Sequence, residues 1–259
     1  FYTRMPFSII GTAMSGTITA VKPDALTEEQ WLAQSIANAE AYNARAQSEG
    51  PLVGDTTLAQ DPTMSLEAFN DIEPTSKVPE SEYDVYGSNE FSVFLAGHMV
   101  GGTRLVDMTE YIETPGFPSP DDAVYEAIRQ NPMVKMSVAS YRVSGSTLYV
   151  NYSSDAEEMK SQVTALADEA VAAAVDDGMT DTEKVAALNS WIVDNMEYDY
   201  EALAAIESTL GRLVLDDTGR YSDARGGLID KLVICGGYAD TFNLLARKAG
   251  LESVYVSGI

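Results

Sequence analysis

The chain is poor in the two residues that disulfide and metal chemistry most often need: it has one cysteine and one histidine in 259 residues. One cysteine closes no internal disulfide, and one cysteine with one histidine offers no zinc-binding spacing. No metal or other cofactor is therefore expected. Positive charge is scarce as well. Lys and Arg total 16 against 40 Asp and Glu, a formal net charge of -24. An acid excess of this kind repels phosphate backbones and anionic lipid, which argues against nucleic acid as a partner. Long apolar runs are missing too. No stretch is long and apolar enough to cross a bilayer, and Phe7-Ser8-Ile9-Ile10 is too short for the apolar core of a signal peptide.

What is present reads as alternating helix signals, strand signals and breakers. Thr27-Glu28-Glu29-Gln30 is a capping box, and it predicts a helix from about Thr27 to Gln47. Residues 50 to 88 are rich in Gly, Pro, Asp, Thr and Ser, and read as a connector or a segment pinned to a larger body. Phe91-Ser92-Val93-Phe94-Leu95 has strand chemistry. The breaker run Thr114 to Pro120 marks a domain boundary, and Ser119-Pro120 opens a short helix to about Gln130. Met136, Val138, Tyr141 and Val143 lead into Ser144-Gly145-Ser146, and Leu148, Val150 and Tyr152 return, which predicts a hairpin. Long helices follow, from about Asp155 to Asp176 and from Thr180 to about Met196.

The most informative segment is Ile234-Cys235-Gly236-Gly237-Tyr238-Ala239-Asp240. It places the sole thiol at the start of a helix whose core stripe is Tyr238, Phe242, Leu245 and Ala249, and Gly250 stops that helix. The unpaired N–H groups of a helix N-terminus stabilise a thiolate and donate to an oxyanion. Gly236 and Gly237 permit close approach of another backbone or of a substrate. On residues alone, a cysteine beside Val233 and Ile234 also fits a buried filler.

From Gly178 onward the pattern resembles the transglutaminase-like domain of the transglutaminase and papain-like cysteine protease superfamily. The resemblance is carried by Asn189-Ser190-Trp191-Ile192 through Glu197-Tyr198-Asp199-Tyr200, by Val233-Ile234-Cys235-Gly236-Gly237-Tyr238-Ala239, and by Val254-Tyr255-Val256-Ser257-Gly258. It covers the last third of the chain. It implies that Cys235 is the nucleophile and that Gly236 and Gly237 form the helix N-terminus at an oxyanion. Tyr198, Asp199 and Tyr238 then serve as structural motif residues through packing and hydrogen bonding. Family members continue into strands bearing a histidine and an aspartate, which are expected after Ile259. The core is therefore expected to be incomplete at its C-terminal end and inactive as it stands. Lys231 departs from the family, where many members have glycine.

The implied reaction is acyl transfer on amides of a protein or peptide, through a thioester on Cys235, as a peptidase, deamidase or cross-linking enzyme. A non-catalytic cell-surface scaffold or binding domain of the same fold is the alternative. His98 is the only histidine that could serve as base, and a loop or sheet-edge histidine with a satisfied hydrogen bond fits its surroundings as well. The expected fold is α+β. A helical and loop region over 1–117 precedes a transglutaminase-like domain over 118–259, with a lead-in hairpin and helix over 118–177 and a core over 178–259. The cysteine helix is expected on an antiparallel sheet beginning with Ser253 to Val256. The acid excess and the long N-terminal region suit an extracellular or cell-surface bacterial protein.

Overall fold

The computed structural model describes residues 61–208 and 220–256. The helix expected over Thr27 to Gln47 lies outside them. The architecture is α+β, as expected. Helices α1 (Glu90–Val100), α2 (Thr109–Glu113), α3 (Pro120–Gln130), α4 (Pro132–Ser137), α5 (Ala156–Ala174), α6 (Asp181–Asn195), α7 (Tyr200–Ser208) and α8 (Cys235–Lys248) surround two small sheets. Strands β1 (Leu105–Asp107), β2 (Val138–Ser144) and β3 (Thr147–Tyr152) form an antiparallel sheet in the order β1-β3-β2. Strands β4 (Glu197–Tyr198) and β5 (Leu232–Val233) make a short parallel pair.

The local signals explain most of these elements. Ser119 caps α3, its side chain accepting from the Asp122 amide, with proline in the first turn. Thr180 and Glu183 close a reciprocal capping box on α6. The hairpin turns through Gly145 at φ 60, and the Ser144–Thr147 pair closes it. Residues 61–88 are pinned to the body: the Asp61 amide donates to the Tyr141 carbonyl, and Thr75 bridges Val106 beside β1.

Three expectations do not hold. Phe91 to Leu95 lies in α1, not in a strand. A short apolar run fits a buried helix as well as a buried strand. Here Asn89 decides, because its side chain accepts the Ser92 amide at 3.0 Å and caps a helix that buries Phe91, Leu95 and Met99 at every fourth position. Met136 likewise sits in α4 rather than in the hairpin. Finally, residues 251–256 form no strand among the described residues. The Gln130 side chain takes the place of a neighbouring strand, with Nε2 donating to the Tyr255 carbonyl at 2.8 Å and Oε1 accepting the Tyr255 amide at 2.9 Å.

One buried cluster runs from Phe91 to Leu251, with members on both sides of Pro118. Within it, α8 packs mainly on α5, α6, α4 and the segment 220–233, rather than on the antiparallel sheet. No described helix is long and apolar enough to cross a membrane.

His98 is fully buried on α1, with Nδ1 3.1 Å from Thr103 Oγ1 and the ring edge-on to Phe94 at 4.5 Å. Burial pulls its pKa below 6.5, and the Ser76 backbone offsets only part of that. A base with a depressed folded-state pKa stays neutral while the unfolded chain takes up a proton. Its contribution to stability is therefore present above 6.5 and lost as pH falls below that value. The slope reaches about 1.4 kcal/mol per pH unit. Asp240 acts in the opposite sense: burial raises its carboxyl to about 6, so its contribution is lost as pH rises through that value. Urea denaturation at pH 7.5 and 5.5 should therefore show His98→Leu losing less stability on acidification than wild type does. Equal losses would show that His98 carries no part of the acid sensitivity.

Candidate active site

The site is built where β5 hands the chain to α8. Lys231 turns the chain into β5 at φ 61 and ψ 16, the only positive φ outside glycine among the described residues. β5 then pairs in parallel with β4, Glu197 facing Leu232 and Tyr198 facing Val233. The Glu197 amide donates to the Lys231 carbonyl at 2.7 Å and the Asp199 amide to the Val233 carbonyl at 2.9 Å. This short pair fixes Tyr198 beside the first residue of α8.

Cys235 is that first residue, and it is exposed to solvent. It is not a buried filler. The amides of Gly237 and Tyr238 both donate to the Ile234 carbonyl, at 3.0 and 3.2 Å. Those of Cys235 and Gly236 reach no backbone carbonyl among the described residues. The Cys235 amide meets the Tyr198 hydroxyl oxygen instead. Amides in the first turn of a helix have no partner within it and can donate to an incoming oxygen.

Close approach at both glycines is to the chain itself, to the Ser222 backbone at Gly236 and chiefly to the Val233 side chain at Gly237. A Cβ on Gly236 would lie 3.2 Å from the Ser222 carbonyl oxygen. On Gly237 it would lie 2.5 Å from Val233 Cβ and 3.0 Å from the Tyr221 carbonyl oxygen. The turn Arg220–Ser222 thus presses on the start of α8, and the Tyr221 carbonyl also accepts the Ile234 amide at 2.8 Å.

Tyr198, expected as a packing residue, does more. Its ring stacks against Tyr238 at 6.0 Å and contacts Tyr200 at 5.1 Å. Its hydroxyl is under the direct influence of the Cys235 thiol and backbone amide. Burial first, then the charge of Cys235, raises its pKa well above the ordinary phenol value. The group therefore stays a neutral O–H donor at the mouth of the helix. Asp199 caps α7, with Oδ1 accepting the Ala202 amide at 2.8 Å. Tyr238 donates to the Met196 carbonyl at 3.2 Å, which ties α8 to the end of α6, and burial raises its pKa to about 12. His98 is not part of this arrangement. It lies buried on α1 and makes no contact with Cys235 among the described residues.

Beneath the thiol is a buried ionic layer that sequence reading missed. Lys135 Nζ donates to Asp240 Oδ2 at 2.7 Å and to the Ser222 carbonyl at 2.8 Å. Asp223 and Arg225 form a second buried pair at 2.6 Å. The available signal was compositional: Lys135 interrupts Met133-Val134-Lys135-Met136, and Asp240 interrupts an otherwise core-facing stretch of α8.

Residues 168–259 match the family model described as the transglutaminase-like superfamily. That segment contains Tyr198, Asp199 and all of Cys235 to Tyr238, so the resemblance carried by these residues is shown there. No curated protein matches the chain.

Two tests follow from the packing. Alanine in a helix gains up to about 1 kcal/mol over glycine, whereas overpacking costs about 1–3 kcal/mol. Gly237→Ala should therefore lose about 1–3 kcal/mol in urea denaturation, and Gly236→Ala less than about 1 kcal/mol. Equal losses would mean that the turn at 220–222 yields to either methyl. At Lys231 the left-handed backbone costs about 1–2 kcal/mol. The contact of its ammonium with the Trp191 ring at 4.7 Å returns about 0.5–1. Lys231→Gly should thus stay within about 1 kcal/mol of wild type while Lys231→Val loses more than that. The reverse order in the same assay would contradict the strained backbone.

Proposed function

We propose that this chain, whose residues 168–259 carry the transglutaminase-like match, is built for acyl transfer on protein or peptide amides through a thioester on Cys235. The observation that carries the reading is the exposed thiol at the first residue of α8, with the Cys235 and Gly236 amides free of backbone partners and the Tyr198 hydroxyl beside it.

The thiolate sulfur attacks the amide carbon and the carbonyl π pair moves onto oxygen. In this reading the backbone N–H groups of Cys235 and Gly236 and the Tyr198 O–H donate to that oxyanion, the Cys235 N–H leaving the Tyr198 oxygen as the carbonyl enters. Collapse of the intermediate breaks the C–N bond, and the nitrogen leaves as ammonia or an amine after taking up a proton. Water or a second amine then attacks the thioester and restores the thiol. Water makes the outcome peptidase or deamidase chemistry, and a lysine amine makes it cross-linking. The one imidazole among the described residues, His98, is bonded to Thr103 on α1 and is given no part in these steps. An extracellular or cell-surface bacterial setting belongs to the same proposal, supported by the acid excess alone.

One observation favours a second reading, a non-catalytic binding domain of this fold: the only histidine is locked in the core on α1. Ammonia release from a glutamine-containing peptide, with and without an added primary amine, separates the two. Under the first reading Cys235→Ala abolishes release, and Tyr198→Phe lowers kcat by about 10- to 1,000-fold with little change in KM. Release that survives Cys235→Ala, or no release under any condition tested, would favour the second.

A further inference from the structure

A buried lysine from outside the matched segment reaches the cysteine helix. Lys135 lies on α4, and its side chain is only 2% exposed. Its ammonium makes two contacts that converge under the cysteine helix. One is to Asp240 Oδ2 at 2.7 Å, five residues after Cys235 on α8. The other is to the Ser222 carbonyl at 2.8 Å. The turn that carries Ser222 touches the start of α8 three times. The Tyr221 carbonyl accepts the Ile234 amide, the same carbonyl borders Gly237, and the Ser222 carbonyl borders Gly236.

A single ammonium thus sets the spacing between α8 and the turn that presses on its first residues. Stability alone does not account for it. Burying a lysine and a carboxylate costs each its hydration, and a matched apolar pair is often as stable or more so. Asp240 Oδ1 has no hydrogen-bond partner, so the pair is not fully compensated either. What an apolar pair lacks is a directed donor for the Ser222 carbonyl.

We propose that Lys135 is a positioning residue for Cys235, acting through Asp240 and the Ser222 carbonyl, and that residues 61–167 therefore complete the site. The proposal rests on the reading of Cys235 as a nucleophile, but it is read out in thiol reactivity rather than turnover. If alkylation responds as described below and no amide is ever turned over, only the acyl-transfer reading fails.

The test compares two variants of the full chain by the rate of Cys235 alkylation with iodoacetamide from pH 5 to 10, alongside thermal melting. Asp240→Asn keeps the bond from Lys135 to Ser222, and its alkylation rate should stay within about twofold of wild type. Lys135→Met/Asp240→Leu removes both charges and the bond while filling the space. It should still melt cooperatively, yet its rate at pH 7 should change by about fivefold or more, with a pH–rate profile approaching that of the urea-unfolded chain. A folded double variant with the wild-type profile would overturn the proposal, as would equal effects of the two variants. If the double variant does not fold, hydrogen exchange of the wild type decides. The Ile234 amide, held by the turn, should exchange within about tenfold of the most protected amides of α8. Exchange far faster than that would mean the turn is not clamped, and the proposal would fall.

Discussion

The approach of the turn Arg220–Ser222 to the first residues of α8 is the constraint on which the rest of the site depends. Two carbonyl oxygens, from Tyr221 and Ser222, lie where side chains at positions 236 and 237 would otherwise project. A Cβ at either position would sit within 3.2 Å of one of these oxygens, a tight contact that glycine relieves. Once the approach is made, the Ile234 carbonyl collects two amides, while those of Cys235 and Gly236 reach no backbone carbonyl among the described residues. The thiol is exposed because the residues on either side of it are spoken for by the core: Val233 and Ile234 go in, and Tyr238 goes in.

The supports of the site come from widely separated parts of the chain. β4 brings Tyr198, through a parallel pair only two residues long. A small apolar cluster of Ala202, Tyr221 and Ile234 backs that pair, distinct from the main core. At the far end of α8, Lys184 Nζ donates to the Ala249 carbonyl at 2.9 Å, where cationic donors suit the negative end of the helix. Arg247 reaches the Ser253 carbonyl at 2.9 Å and stacks 3.7 Å over Tyr86. The helix is therefore held at its exposed N-terminal end by close backbone contact and at its other end by side-chain donors.

Electrostatics divides the molecule sharply. The surface carries the acid excess, while the interior holds two ion pairs, Lys135 with Asp240 and Asp223 with Arg225, each nearly without solvent contact. Interior charges at this depth constrain geometry more than they stabilise. His98 is buried as well, neutral and remote from the thiol in its contacts. The cysteine helix and the only imidazole thus belong to different parts of the core. That separation keeps the catalytic and binding readings both in view.

Much of this was legible in the residues themselves. The caps at Ser119 and Thr180, the turn at Gly145, the limits of α6 and the start of α8 at Cys235 follow from short-range rules: a side-chain oxygen reaching an amide three residues on, a positive φ, an apolar stripe at helical spacing. Phe91 to Leu95 was misread because a short apolar run has no period of its own, and the Asn89 cap made it a helix. Ser253 to Val256 was misread because a strand exists only with a partner, and here a glutamine side chain occupies that place. What the sequence alone determined was where helices begin and which residue stands at the mouth of the last one. What only the tertiary structure decided was what surrounds that residue: the Tyr198 hydroxyl, the carbonyls of 221 and 222, and a lysine 105 positions from its carboxylate. Those contacts arise from exclusion of water and pairing of charge across the whole core, and no local pattern records them.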